Sequence, residues 1–262
     1  MKNRTIVSWN VNGVRACANK GFLDYLAAES PDVICLQEIK AMESDLVDHL
    51  AMPSGYYSVW VSAEKKGYSG VAILSKQKPI NVVSGFGIPK FDSEGRVVMA
   101  EFEEYCVFSV YFPNGQRGDD RLAYKGEFYQ AFFDYCDDLR RIGKRLIICG
   151  DYNTAHSAID LARPRENEGV SGFLPIEREW LDAVVDRGYV DTFRHFHSQP
   201  AEYSWWSYRA NARRNNVGWR IDYVFVSDDV MPLVSDAFIQ QGIMGSDHCP
   251  VGVKISVSAP NA

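Results

Sequence analysis

Short apolar runs bounded by polar residues recur along the whole chain. Those with the length and the β-branched or aromatic content of strands are Thr5–Trp9, Val33–Leu36, Tyr57–Val61, Val71–Leu74, Val97–Phe102, Val107–Phe112, Leu146–Cys149, Tyr203–Trp206, Ile221–Val226 and Val251–Val257. Helical spacing of three and four joins Tyr124, Phe128, Phe132, Tyr135, Leu139 and Ile142, and Gly143 stands where that helix would be capped. A second helix, opened by Pro175 and closed by Gly188, carries Ile176, Trp180, Leu181 and Val184. A third, weaker one is expected over Phe22–Ala28. The aromatic stripes of these helices are read as core. Many hairpin-like strands in two similar halves, with few helices, predict two β-sheets packed face to face with helices outside, not a parallel doubly wound sheet. One domain is expected over residues 1–257, with a short tail at 258–262.

Composition narrows this picture without naming a chemistry. The chain has 262 residues, of which 46% are hydrophobic and 13% aromatic, enough to bury a substantial core. No apolar run reaches the ~20 residues that cross a bilayer. The opening MKNRTIVSWNVNG lacks the apolar stretch of a signal peptide, so a cytoplasmic protein is expected. Six scattered cysteines show no CxxC pair and no ligand spacing with histidine; Cys35, Cys106 and Cys149 sit in apolar runs as small buried hydrophobes, and Cys249 reads as a free thiol. The net charge of −6 argues against a nucleic-acid partner only if charge is spread evenly. Arg209–Arg214 and Arg163-Pro-Arg165 are locally basic, and acidic residues gathered around a divalent ion would be neutralised in the working protein.

The strand ends carry the chemistry. Leu146-Ile147-Ile148-Cys149-Gly150 delivers Asp151-Tyr152-Asn153; by itself that is turn chemistry, which Asp and Asn favour. The pattern then repeats. The first strand ends in Asn10-Val11-Asn12, the second in Gln37-Glu38, and Tyr111-Phe112 leads to Pro113-Asn114. Asp222 opens one strand, and Asp247-His248 precedes another. Such a set points to convergence on one mouth of the sandwich, where loops on a rigid scaffold build a site. Carboxylate and amide oxygens without clustered Cys or His suit Mg2+, with Mn2+ able to substitute, in preference to zinc. With a carboxylate base, a His–Asp pair and Asn and Tyr donors, the set describes phosphoryl transfer to water. His49, His156, His195 and His197 receive no role.

The segments WNVNGVRA, LQEIK, GYSGVAILSK, YFPNG, GDYNTAH, SGFLPIERE, NVGWRIDY and GSDHCPV resemble the motifs of exonuclease III-type apurinic/apyrimidinic endonucleases, within the endonuclease/exonuclease/phosphatase superfamily. The resemblance runs from residue 5 to about 255, and SGFLPIERE and NVGWRIDY are specific to its DNA-repair branch. It implies a four-layered α/β sandwich and one or two Mg2+ ions. It also implies that Glu38 ligates the metal, with Asn10, Asn12 and Asp247 around the same ion and Asp151 and Asn153 beside it. Asp151 would position or deprotonate the attacking water, and Asn153 would hydrogen-bond the water or the phosphate. His248, held by Asp222, would face the scissile phosphate, which Tyr111 and Asn114 would contact.

The substrate implied is double-stranded DNA, bound by a monomer, in the cytoplasm or on the nucleoid of a prokaryote. Trp205, Trp219 and Ile221 match a hydrophobic pocket for a flipped-out deoxyribose lacking its base, where the missing base lowers the unstacking cost. Trp206 is read as core by strand alternation. Arg209, beside Tyr208, matches a side chain inserted into the duplex. Tyr68, Arg96, Arg117, Arg121, Lys125 and Asn167 are further phosphate contacts by the same resemblance, giving affinity and register without reading sequence. Asn12 stands where some members carry a carboxylate, and Val170 where some carry a polar pocket residue. The expected activity is cleavage 5′ to an abasic site, leaving a 3′-hydroxyl, with 3′-trimming and nicking beside damaged or deaminated bases such as uracil. The rival readings are a same-fold phosphoesterase acting on another phosphate ester, such as a phosphoinositide, and a non-catalytic DNA-binding protein.

Overall fold

A computed structural model describes residues 2–257 of the chain; the expected tail at 258–262 lies outside them. The strands, in chain order, are β1 (Lys2–Asn10), β2 (Val33–Gln37), β3 (Tyr57–Val61), β4 (Val71–Ser75), β5 (Asn81–Ser84), β6 (Val97–Glu101), β7 (Cys106–Tyr111), β8 (Leu146–Asp151), β9 (Tyr189–Asp191), β10 (Asp222–Ser227), β11 (Val234–Ile239) and β12 (Val251–Val257). They form two six-stranded sheets, ordered β11-β12-β1-β2-β4-β3 and β5-β6-β7-β8-β10-β9. One core cluster draws Ile6, Cys35, Ile73 and Val253 from the first sheet and Val98, Val107, Ile147 and Val224 from the second, so the sheets pack face to face. A second cluster joins the outer face of the β7–β8 sheet to Phe128, Phe132 and Leu181 of the covering helices, and a third buries Phe22 and Leu26 against β1 and β2. The four-layered sandwich is the fold observed.

The helices run Asp119–Arg141, Pro175–Asp186 and Phe22–Glu29, close to expectation. The strand expected over Tyr203–Trp206 is corrected. That segment makes only isolated bridges, Trp205 to Trp219 and Trp205 to His248. Its backbone is spent on tying two loops together, not on a ladder. Strands β5, β9 and β11 had no sequence counterpart; β5 and β9 are short edge strands, and β11 is also an edge.

Sheet pairing explains why the polar strand ends meet. Each sheet has one parallel pair at its centre, β1–β2 and β7–β8, flanked by antiparallel neighbours. Parallel partners end on the same side, so Asn10 pairs with Gln37, next to Glu38, and Tyr111 pairs with Asp151. Antiparallel β10 begins where β8 ends, setting Asp222 opposite Asp151. In the same way β12 begins near the end of β1, pairing Val251 with Ser8, so Asp247 and His248 arrive at the same mouth. Gly150 is required by the β7–β8 approach: a Cβ there would lie 2.3 Å from the Val110 carbonyl oxygen.

Candidate active site

The turns leaving the parallel strands are tight. Asn12, Glu38 and Asn153 all adopt left-handed backbone, with φ of 45°, 49° and 51°. For Asn this is tolerated, but for Glu38 it is a strained conformation that the surrounding structure must hold in place. Such strain gathers at functional positions.

Asn10 sits between two carboxylates and donates its amide to both, 2.9 Å to Glu38 and 2.9 Å to Asp151. The other Glu38 oxygen is 2.8 Å from the Lys40 ammonium. Asp151 is fully buried and accepts the Asn153 backbone N–H at 2.8 Å. Asn153 donates its amide to the Phe112 carbonyl at 2.9 Å and accepts from Asn114 at 3.0 Å. His248 Nδ1 lies 2.8 Å from Asp222, whose same oxygen accepts the Ser204 hydroxyl at 2.7 Å. That fixes the imidazole so that Nε2 faces Asp151 at 3.9 Å. Among the described residues, one oxygen each from Glu38 and Asp151 and a nitrogen of His248 lie within 4.8 Å of one another, close enough to hold one metal ion.

The electrostatics follow from this crowding. Burial, then repulsion by Asp222 and Glu38, push Asp151 up to about 7, against the pull of His248. Burial disfavours a charged His248, but the Asp222 carboxylate, with Asp151 and Asp247 behind it, outweighs burial and pushes it up to about 10. Burial likewise raises Glu38, yet Lys40 and the Asn10 hydrogen bond bring it below the usual carboxylate range. Burial and the Glu38 carboxylate push the Tyr111 hydroxyl well up, so it keeps its proton.

Two expected metal neighbours stand apart from this cluster. Asn12 donates to Asp247 at 2.9 Å and accepts from the Lys40 ammonium, and the second Asp247 oxygen accepts the Trp205 indole N–H at 3.2 Å. Both residues are engaged with each other, and Lys40, which pairs with Glu38, joins them to it.

Beside the carboxylates Ala155, Leu161, Phe173 and Ile221 form a buried apolar cluster, with the partly buried Trp205 and Trp219 packed against it. Trp219 meets Phe173 edge-on at 6.4 Å and Trp205 edge-on at 6.3 Å, and Trp205 is 6.5 Å from His248. Trp205, Trp219 and Ile221 were expected here; Phe173 and Leu161 were not. Tyr208 and Arg209 are exposed nearby, in a loop where Ala210 and Asn211 have positive φ.

On the other flank a cleft of about 230 Å³ is lined by Tyr68, Arg96, Tyr111, Asn114, Gln116, Arg117 and Arg121. Arg117 is exposed and Arg121 half-buried. The Glu94 carboxylate binds both Arg121, at 2.8 Å, and Arg96, and both guanidiniums also donate to the Tyr68 hydroxyl. Arg96, expected as a phosphate contact, lines this cleft but is largely buried and donates to the Tyr111 carbonyl at 2.8 Å, bracing that residue. Lys125, expected as a phosphate contact, lies deeper. It is fully buried, with no surface to offer a phosphate, and donates to Glu177 and to the Asn153 carbonyl. Asn167 is half-buried and donates to the Arg163 carbonyl at 2.7 Å, in the locally basic Arg163–Arg165 turn.

Among the described residues no helix is long and apolar enough to cross a membrane. All six cysteines are buried and free. The chain is 46% identical over 254 residues to an exodeoxyribonuclease of Bacillus subtilis, covering 96% of this chain and 99% of that one. It is 42% identical over 258 residues to the DNA repair nuclease APEX1 of Danio rerio, covering 97% and 83%. The crystal structure of an AP endonuclease from Leishmania major superposes with a TM-score of 0.89 at 30% identity, over 98% of this chain and 89% of that one. Residues 7–248 match the family described as Endonuclease/Exonuclease/phosphatase, and the chain belongs to that family.

Proposed function

We propose that this chain is a DNA-repair nuclease. With Mg2+, it hydrolyses the phosphodiester 5′ to an abasic site in duplex DNA and leaves a 3′-hydroxyl, with 3′-trimming as a second activity. The observation that carries the reading is adjacency: a buried Asp151–His248–Asp222 constellation stands beside Glu38 and next to an apolar cluster of Phe173, Ile221 and Leu161, whose partly buried Trp205 and Trp219 would form the pocket for the sugar. A sugar without a base fits such a pocket, whereas a base or an inositol ring with its hydroxyls would leave polar groups unpaired there. Relatives named as an exodeoxyribonuclease and a DNA repair nuclease support the same substrate class.

The donor set suits a hard divalent ion: carboxylate oxygens of Glu38 and Asp151, with Asn10 alongside. Such an ion would supply charge neutralisation on the phosphate and its leaving oxygen. The rest is done by the chain's own groups. Asp151, with its affinity for a proton raised to about 7, accepts the proton of the attacking water or orients that water. Asn153, held by Asn114, presents an amide beside it. His248, charged because Asp222 pushes it up to about 10, sets an imidazolium Nε2 toward the phosphate. Tyr111 keeps its proton and donates it as a hydrogen bond to a phosphate oxygen. Arg209 and Tyr208 enter the duplex, and Arg117 and Arg121 grip the backbone beyond the cleaved bond. We place the protein in the cytoplasm as a monomer, and include nicking beside uracil within its range.

The test is incubation with duplexes carrying one abasic analogue, one uracil, a recessed 3′ end or no lesion, with Mg2+ or with EDTA. Cleavage confined to the 5′ side of the abasic residue and abolished by EDTA is the expected result. Equal cleavage of the undamaged duplex would remove the pocket from the explanation.

A further inference from the structure

The helix Asp119–Arg141 buries Lys125, Phe128, Tyr129, Phe132, Phe133 and Cys136 on one face. Lysine in that company is expensive unless its charge is met. It is met by Glu177 of the helix Pro175–Asp186, at 2.6 Å, and neither side chain is exposed at all. A buried pair of this kind seldom adds stability over apolar residues of the same shape. Its position is therefore the informative feature.

Lys125 also donates to the Asn153 carbonyl at 2.7 Å, on the turn that carries Asp151 and Asn153. Glu177 binds the opposite side. One oxygen accepts the Ser171 hydroxyl at 3.1 Å, and the other accepts the backbone N–H of Gly172 and of Leu174, the latter at 3.2 Å. The two amides flanking Phe173 are thus pinned by a single carboxylate oxygen, and Phe173 belongs to the apolar cluster and backs Trp219 edge-on. A second link runs from the Ala155 N–H to the Gly172 carbonyl at 2.8 Å. Gly172 itself has φ +101°, and a Cβ there would crowd Trp219 at 3.2 Å and the Asn153 carbonyl at 3.3 Å. The Phe173 turn and the Asp151–Asn153 turn are therefore joined through one buried charge pair.

We propose that Lys125 and Glu177 are positioning residues that hold the pocket wall at Phe173 in register with the Asp151–Asn153 turn, so that a baseless sugar seated in the pocket finds the catalytic groups aligned. The inference rests on the abasic-site reading given above. An error of an ångström in such alignment costs about a hundredfold in rate.

The experiment compares the wild-type chain with Lys125→Met/Glu177→Gln, which removes both charges together, and with Glu177→Gln alone. For each, melting temperature, kcat and KM are measured with Mg2+ on an abasic duplex and on a recessed 3′ end. The double variant is expected to melt within a few degrees of wild type, with kcat on the abasic duplex down about tenfold to a hundredfold. KM should stay within about twofold and the 3′-end rate should fall less, because that substrate leans less on the pocket wall. Wild-type kcat on the abasic duplex in the double variant overturns the proposal. So do equal losses on both substrates that track a lowered melting temperature. If the double variant does not fold, the same split is read on Glu177→Gln, whose amide oxygen still accepts from the Phe173 turn. A wild-type chain that cuts undamaged and abasic duplexes alike would sink the abasic-site reading itself, a result separable from any variant.

Discussion

Two fully buried aspartates show how differently the molecule treats charge. Asp160 accepts three hydrogen bonds on one oxygen, from Arg194 at 2.9 and 2.7 Å and from Arg220 at 2.8 Å, and the Ser157 N–H and hydroxyl bind the other. Burial would raise it, but the two guanidiniums bring it down to about 2. Asp151, equally buried, has an amide and a backbone N–H for partners and Asp222 and Glu38 for neighbours, and it stands at about 7. Arg220 and Asp222 are two residues apart, yet one serves the first cluster and the other the second. The difference separates structure from chemistry: around Asp160 the charge is settled within the fold, and around Asp151 it is left short of a cation. That deficit is what a divalent ion and an attacking water would use.

Replacing each aspartate by asparagine should therefore fail in opposite ways. Asp151→Asn is expected to lower kcat on an abasic duplex by about a thousandfold or more, with DNA binding kept, because a general base contributes on the order of 10²–10⁴ and the residue also faces the ion. Its melting temperature should hold or rise, since a repelled carboxylate has been removed. Single-turnover cleavage, a binding titration and a melting curve decide it. Near-normal turnover refutes the catalytic assignment.

Asp160→Asn should leave the chemistry of the folded fraction within about twofold and cost stability instead. It strands Arg220 and Arg194 in the interior, a loss of roughly 3–5 kcal/mol for a broken buried pair. Denaturant unfolding measures the loss. A variant as stable as wild type would show that Asp191, 2.7 Å from Arg220, is partner enough.

The pH dependence sharpens the same contrast. A carboxyl whose folded value is depressed from 3.8 to about 2 adds stability above its unfolded value, and that stability is lost as pH falls through the interval between them. For Asp160 the contribution is about 2.5 kcal/mol, present at pH 5 and fading from about pH 4 toward pH 2. Asp151 has the reverse sign: raised in the folded state, it favours folding below about pH 4 and loses that favour as pH rises through 7. Comparing acid unfolding of wild type with Asp160→Asn isolates the first effect. A constant stability difference from pH 2 to pH 6 would show that Asp160 is not the group being protonated.

Much of this was legible in the sequence, for a physical reason. Polar residues at apolar strand ends are visible in one dimension, and parallel pairing of β1 with β2 and of β7 with β8 brings those ends together without long-range guesswork. Less legible was whatever depends on a partner far along the chain. Lys125 lies three and four residues before Phe128 and Tyr129, in phase with the apolar stripe, and this was a signal of burial. It was expected as a phosphate contact through the motif resemblance, and its mate Glu177 is supplied by another helix. Arg96 was expected on the same ground, and its partners Glu94, Tyr68 and the Tyr111 carbonyl are invisible as a set in the sequence. Phe173 lies within the SGFLPIERE segment, but its place against Trp219 was not visible there. Tyr203–Trp206 has the composition of a strand, but its backbone bridges Trp219 and His248 where no ladder exists.

The smallest effect concerns Ser204, which carries no charge and no motif. Its hydroxyl donates to the Asp222 oxygen that also holds His248, and accepts the backbone N–H of Ile221 and of Asp222, each at 3.1 Å. The second Asp222 oxygen is buried and has no side-chain or backbone partner among the described residues. The Ser204 hydroxyl and the imidazole therefore share the one partnered Asp222 oxygen, and Ser204 helps to hold the carboxylate in the orientation that meets the imidazole. Removing the hydroxyl in Ser204→Ala deletes a hydrogen bond to a charged group, on the order of 1.5–3 kcal/mol at most and less if water replaces it. The expected result is a fall in kcat of a few-fold to about tenfold, with KM unchanged, because the imidazole is displaced and not removed. His248→Ala should then lose more than Ser204→Ala, and in the doubly substituted chain the serine should cost nothing further, since its effect passes through the histidine. A double variant whose losses simply multiply would place Ser204 on some other path to the phosphate.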